Sequence, residues 1–102
     1  MTNGNGLQVV DNEAASRFEV PGAPGAELIY RKNAKRLVLI HTEVPEALGG
    51  RGLGGQLVQA AIDEAAASGM TVVPLCPYAH SWLERHPDQA ARVTIDWGRR
   101  HG

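Results

Sequence analysis

The sequence predicts a mixed α/β (α+β) domain, in which an antiparallel meander leads into one parallel strand–helix–strand crossover and a short closing helix. Three observations predict it. Short alternating segments separated by turn residues fill the first part of the chain. The apolar run Leu37 to Ile40 is followed by a glycine-rich turn, Gly49 to Gly55, and then by a helical stripe of apolar residues. A second apolar run, Met70 to Leu75, comes after that helix, and a strand, a helix and a strand in this order imply a right-handed parallel crossover.

Leu7 to Val10 forms a short strand candidate. Ser16 to Val20 alternates as a half-buried antiparallel strand does, with Phe18 and Val20 inward. Pro21 to Gly25 supplies residues that reverse the chain. Glu27 to Arg31 then places Leu28 and Tyr30 on one face and Ile29 on the other, with Lys32 to Lys35 as a hairpin loop. The next strand, Leu37 to Val44, starts continuously apolar, the mark of a strand covered on both faces. Strict alternation gives His41 and Glu43 the face of Leu37 and Leu39, and gives Thr42 and Val44 the opposite one. Polar groups at the carboxyl end of a buried strand are where ligands commonly sit.

Leu53, Leu57, Val58, Ala61, Ile62 and Ala65 form one helical stripe, with Gln56, Gln59 and Asp63 opposite and Gly69 as the stop. Pro74 lacks an N–H, so its strand is expected at a sheet edge or splayed from its neighbour near its end, which opens a cleft. Pro77 suits the first position of a helix that runs to about Arg85, where His86-Pro87 stops it and Cys76 is the N-cap. Gln89 to Gly102 holds a short strand or helix around Val93 to Trp97.

With 43% apolar and 21% charged residues, 102 residues suit one domain over 1–102, with the polar stretch Met1 to Gly6 as a disordered tail. Ten Lys and Arg against eleven Asp and Glu leave a net charge of -1, which removes the broad attraction that nucleic acid or an anionic membrane needs. Neither is an expected partner. No signal-peptide pattern or membrane-spanning stretch occurs, so a cytoplasmic location is expected. A single cysteine, Cys76, excludes an internal disulfide. A set of Cys76, His80 and His41 has no carboxylate of defined geometry beside it, and no metal is expected.

The densest signal is Leu48 to Gly55, five glycines in eight positions immediately before the helix. Glycines let a backbone approach a ligand and adopt positive φ, and the N–H groups of a helix's first turn stabilise phosphate oxygens. Arg51 adds a charge-assisted contact. Gly50, Gly52 and Gly55 formally satisfy a dinucleotide fingerprint, but Pro45 to Leu48 separate the strand from the first glycine and the chain is too short for both halves of such a fold. A nucleoside triphosphate loop requires Gly-Lys-Ser/Thr where this chain has Gly54-Gly55-Gln56. A pyrophosphate whose ligand extends toward Val44 remains, which suits coenzyme A.

His41-Thr42-Glu43-Val44-Pro45, Gly50-Arg51-Gly52-Leu53, Cys76-Pro77-Tyr78 and His86-Pro87 resemble the small, single-domain, YjdJ-type branch of the GNAT N-acetyltransferase superfamily, over about Arg17 to Asp88. The resemblance implies a truncated core of that fold and an acetyl-CoA-binding acyltransferase acting on an unidentified amine. It implies that backbone amides of Gly49, Gly50, Arg51, Gly52, Leu53, Gly54 and Gly55 hold the acetyl-CoA pyrophosphate. The pantetheine arm is expected along Thr42 to Val44. The superfamily loop usually begins with Gln or Arg where Gly49 stands. Many members protonate the leaving thiolate with a Tyr whose place corresponds to Trp82, and Tyr78 is the candidate substitute in this chain.

Cys76 is expected near the thioester, at a helix N-cap that favours a nucleophilic thiolate, so an acetyl-Cys76 intermediate and a merely packed cysteine are both open. Direct attack by the acceptor needs a base instead, with His41 or Glu43 as candidates. A coenzyme A-binding module with little transferase activity is the alternative function, and an interaction domain whose loop binds no ligand is a third.

Overall fold

The computed structural model describes residues 8–49 and 52–98. Gly50 and Arg51 therefore lie outside the described residues, as do Met1 to Leu7 and the chain after Gly98. Six strands form one sheet in sequence order: β1 (Val10–Asn12), β2 (Arg17–Glu19), β3 (Glu27–Asn33), β4 (Arg36–Glu43), β5 (Thr71–Pro74) and β6 (Thr94–Ile95). Pairing is antiparallel up to β4 and parallel from β4 to β6. Helix α1 (Leu53–Ser68) joins β4 to β5, while α2 (Pro77–Arg85) and the short α3 (Pro87–Ala90) join β5 to β6.

The predicted meander and crossover are present, with differences at both ends. The first strand begins at Val10, where the Leu7 to Val10 candidate ended. Near the C-terminus a second parallel crossover adds β6, because Pro87 opens α3 besides ending α2. Strand β5 is consequently interior and not at an edge. Its proline is tolerated because β6 pairs only with Thr71 and Val72, so the missing N–H falls beyond the β6 ladder.

All the apolar positions predicted for α1 are buried, and Gly69 ends the helix at φ 66°. They pack with α2 residues Ala79, Trp82 and Leu83 on the sheet face that carries Phe18, Leu28, Tyr30, Leu37, Leu39 and Val72. Burial pushes the Tyr30 phenol well up, helped by the Asp11 carboxylate, whose Oδ1 accepts from the Tyr30 hydroxyl at 2.6 Å. Both crossovers run in the same direction across the sheet and so place their helices on the same side. Among the described residues no helix covers the opposite face. Strand β4 is therefore not covered on both faces as its apolar run suggests: Val38 is half-buried and Ile40 is 37% exposed.

The β3–β4 register sets the orientation of the site. Ile29 pairs with His41 and Tyr30 with Leu39, which leaves Ile40 as an extra residue in β4. This bulge reverses the alternation beyond it. Thr42 now lies opposite buried Leu28 on the helix-covered face, while His41 and Glu43 point to the open one. The expectation that His41 and Glu43 share a face with Leu37 and Leu39 is thus corrected.

Two glycines of α1 serve helix packing. A Cβ at Gly54 would lie 2.8 Å from the Tyr78 ring, and one at Gly55 would lie 2.8 Å from Trp82 Nε1. Trp82 is 7% exposed and stacks on His86 at a ring separation of 4.0 Å, so it has little freedom to give way. Gly55→Ala is expected to destabilise by about 1–3 kcal/mol through overpacking, despite alanine's better helix propensity. Urea unfolding would measure this, and an unchanged or higher midpoint would show that the Trp82 contact is not tight.

Candidate functional site

The site grows out of the place where β4 and β5 separate. Their ladder ends at Leu39 and Pro74, and the Leu39 carbonyl then accepts from the N–H groups of both Leu75 and Cys76, each at 3.0 Å. Beyond this point β5 gives way to α2, while β4 continues to Glu43 paired only with β3. On its other side, residues 40–44 have no backbone partner among the described residues. An extended ligand with amide groups could add to such an edge.

Cys76 sits at the N-cap of α2, as its position before Pro77 predicts, and is 2% exposed. Its Sγ lies 3.2 Å from Thr42 Oγ1, so the two side chains bridge the diverging elements. Val44 packs against the core. Tyr78, in the first turn of α2, is 40% exposed, and its ring rests on Gly54 in the first turn of α1. Trp82, at the superfamily tyrosine's place, instead packs on Gly55.

The α1 N-terminus opens beside this cleft. Gly52, the N-cap, holds φ 71° in the left-handed region, with nothing within 4 Å of where a Cβ would stand. Its carbonyl accepts from Gln56, the first bond of the helix. Among the described residues no side chain is seen to cap this end, and no acidic residue occupies its first turn. The N–H groups of Leu53, Gly54 and Gly55 thus have no partner within the helix and stand at the positive end of its dipole. Gly49 is extended, and its N–H is bonded to the Glu46 carbonyl at 3.1 Å.

On the open face of the sheet, His41 Nε2 and Glu43 Oε1 are 3.0 Å apart, both side chains 56% exposed. The same face carries Arg17 between Glu19 and Glu27, and its guanidinium holds the Glu19 carboxyl below the ordinary range. The structure therefore brings Thr42, Val44, Cys76, Tyr78 and the α1 N-terminus to one cleft, with His41 and Glu43 on the other side of β4. His80 does not join Cys76: its Nδ1 is 3.6 Å from Glu84, and its ring meets Trp97 edge-on at 5.0 Å. Among the described residues no three His, Cys, Asp or Glu side chains form a metal-binding group. A separate cavity of about 560 Å³ between α2, α3 and β6, lined by residues such as Leu83, Pro87 and Trp97, shares no residue with the cleft.

Two contacts were not legible in the sequence. The Thr42–Cys76 pair is separated by 34 residues, and no local pattern announces it. The Gly54–Tyr78 contact has only a partial signal, the glycine density of the turn.

Comparison with known proteins gives a consistent result. The family model described as GCN5-related N-acetyl-transferase matches residues 17–93. Protein NATD1 of Gallus gallus and that of Mus musculus are each 36% identical over 63 residues, covering 61% of this chain and 57% of theirs. The match thus spans little more than half the length of these relatives. The NMR solution structure of a GCN5-like protein from Staphylococcus aureus superposes with a TM-score of 0.68 at 23% identity, covering 94% of this chain and 97% of that one, and shows the same fold. No described helix is long and apolar enough to cross a membrane.

Proposed function

The chain belongs to the GCN5-related N-acetyltransferase family, and from that premise we propose that it binds acetyl-CoA and transfers the acetyl group to an amine. One observation carries this reading: a helix N-terminus and a strand edge, neither with a partner among the described residues, adjoin at a cleft. The residues present fit the ligand. The N–H groups of Leu53, Gly54 and Gly55, which have no partner within the helix, suit a pyrophosphate, and the edge of β4 from Thr42 to Val44 suits the amides of a pantetheine arm. Gly50 and Arg51 belong to the same proposed loop.

Acetyl-CoA supplies a thioester carbonyl that an amine can attack, forming a C–N bond as the C–S bond breaks and its electron pair leaves on sulfur. The bulge at Ile40 gives β4 two different sides for this chemistry. Thr42 faces the cleft, whereas His41 and Glu43 face the open side, from which an acceptor has access. With Nε2–H donated to Glu43, His41 keeps the Nδ1 lone pair and takes the proton lost by the amine. Tyr78, whose ring rests on Gly54, is the proposed donor of a proton to the departing sulfur. Direct transfer is the favoured route because the Cys76 thiol is buried against Thr42 and presents no open face.

The test combines binding and transfer. Coenzyme A at about a hundredfold excess over its dissociation constant should stabilise the protein by about 2.7 kcal/mol, a rise in melting temperature on the order of 10 °C. Incubation with acetyl-CoA and a panel of primary amines should yield acetylated amine, with no acetyl found on the protein by intact mass. Absence of a thermal shift would remove the reading, and a shift without amine acetylation would leave a coenzyme A-binding module. An acetyl group on the original chain but not on Cys76→Ala would replace direct transfer by the covalent route.

A further inference from the structure

We infer that Gly25 is a positioning residue for coenzyme A binding: the turn that carries it fixes Pro45, and through Pro45 the segment that leads toward the α1 N-terminus; this rests on the coenzyme A reading above. Residues 20–26 form two consecutive hydrogen-bonded turns. The Val20 carbonyl accepts from the Ala23 N–H at 2.8 Å, and the Ala23 carbonyl accepts from the Ala26 N–H at 3.1 Å. Pro21 and Pro24 each take the second position of a turn, and Gly25, at φ 94°, takes the third position of the later one, where a type II turn needs positive φ. Val20, Ala23 and Ala26 are all buried, so the double turn is anchored in the core at both ends and at its middle.

Gly25 meets Pro45 because the neighbouring strands are in register. Glu27 faces Glu43 in the β3–β4 ladder, and Gly25 lies two residues before the one while Pro45 lies two residues after the other. A Cβ on Gly25 would be 2.8 Å from Pro45 Cγ, against roughly 3.5–4.0 Å for an ordinary carbon contact. Pro45 in turn opens a tightly bonded segment: its carbonyl accepts from the Leu48 N–H at 2.8 Å, the Glu46 carbonyl accepts from the Gly49 N–H at 3.1 Å, and Leu48 packs against the core. A displacement of Pro45 is therefore passed on to Gly49, three residues before the N-cap Gly52. The anchored double turn cannot retreat, so a side chain at position 25 moves Pro45, and a misplacement on the order of 1 Å can cost up to about a hundredfold where groups must be oriented.

The experiment measures coenzyme A dissociation constants by calorimetric titration, with urea unfolding of the same samples, for the original chain, Gly25→Ala, Gly25→Asn, Pro45→Ala and the Gly25→Ala/Pro45→Ala double variant. Gly25→Ala is expected to bind coenzyme A at least about fivefold more weakly than the original chain. Gly25→Asn covers the case in which Gly25→Ala does not fold, because asparagine tolerates a left-handed backbone yet carries the same Cβ, and it should show the same loss. Pro45→Ala removes Cγ and Cδ, the two atoms that a Cβ on Gly25 would meet. In that background Gly25→Ala should change affinity by less than about fivefold, although its φ still lowers the urea midpoint. A merely structural role would move the midpoint alone. Folded Gly25 variants that lose less than about fivefold in affinity, or an equal loss with and without the Pro45 ring, would overturn the inference while leaving coenzyme A binding in place. Failure of the original chain to bind coenzyme A would instead defeat the reading on which it rests.

Discussion

Gly52→Val should reduce coenzyme A affinity by at least roughly a hundredfold, the loss of about two charge-assisted N–H contacts, while the protein remains folded. The position has open space for a side chain but holds φ 71°, which disfavours any L-residue and a β-branched one most. Relief of that strain rotates the peptide planes at the start of α1 and turns the N–H groups of Leu53 and Gly54 away from the ligand. Gly69 offers a matched control, because it has φ 66°, open space and the opposite end of the same helix. Gly69→Val should cost similar stability, about 1–2 kcal/mol, and leave affinity unchanged. Calorimetric titration of both variants decides the matter: equal affinities would show that the α1 N-terminus does not hold the pyrophosphate.

His41→Gln should lower kcat for the best amine acceptor by roughly 10²–10⁴-fold, the usual contribution of a positioned general base, with coenzyme A affinity unaltered. The side chain is on the open face and contacts Glu43 only through its ring, so its removal leaves the core and the α1 N-terminus intact. Glu43→Gln should have a smaller effect, about tenfold, because an amide still accepts from the imidazole N–H but orients it less firmly. Steady-state kinetics with both variants separate the roles. A His41→Gln enzyme within threefold of the original kcat would move the base elsewhere.

Helix α1 was the most legible part of the fold. Its stripe of six apolar positions is a local periodicity, and its two bounding glycines stand at left-handed φ, so they are required by the backbone itself. The crossover and the N-cap position of Cys76 followed from equally local signals, a strand–helix–strand order and a Pro at a helix start. The glycine-rich turn was also visible, but its residues could not be told apart. Gly52 is there for conformation, whereas Gly54 and Gly55 admit Tyr78 and Trp82, side chains that arrive from a helix more than twenty residues away.

What the sequence by itself determined was therefore the order of elements from the meander to α2 and the glycine-bounded ends of α1. Those properties depend on near neighbours along the chain, through helical period, permitted φ and the missing N–H of proline. Only the tertiary structure decided which way β4's polar residues point. Strict alternation put His41 on the core face, but the extra residue Ile40 exists only relative to the register with β3, and pairing between strands is a non-local property. The bulge moved His41 and Glu43 to the open side and brought Thr42 onto Cys76, because burying Leu28, Leu39 and Tyr30 against the helices outweighs regular alternation in one strand.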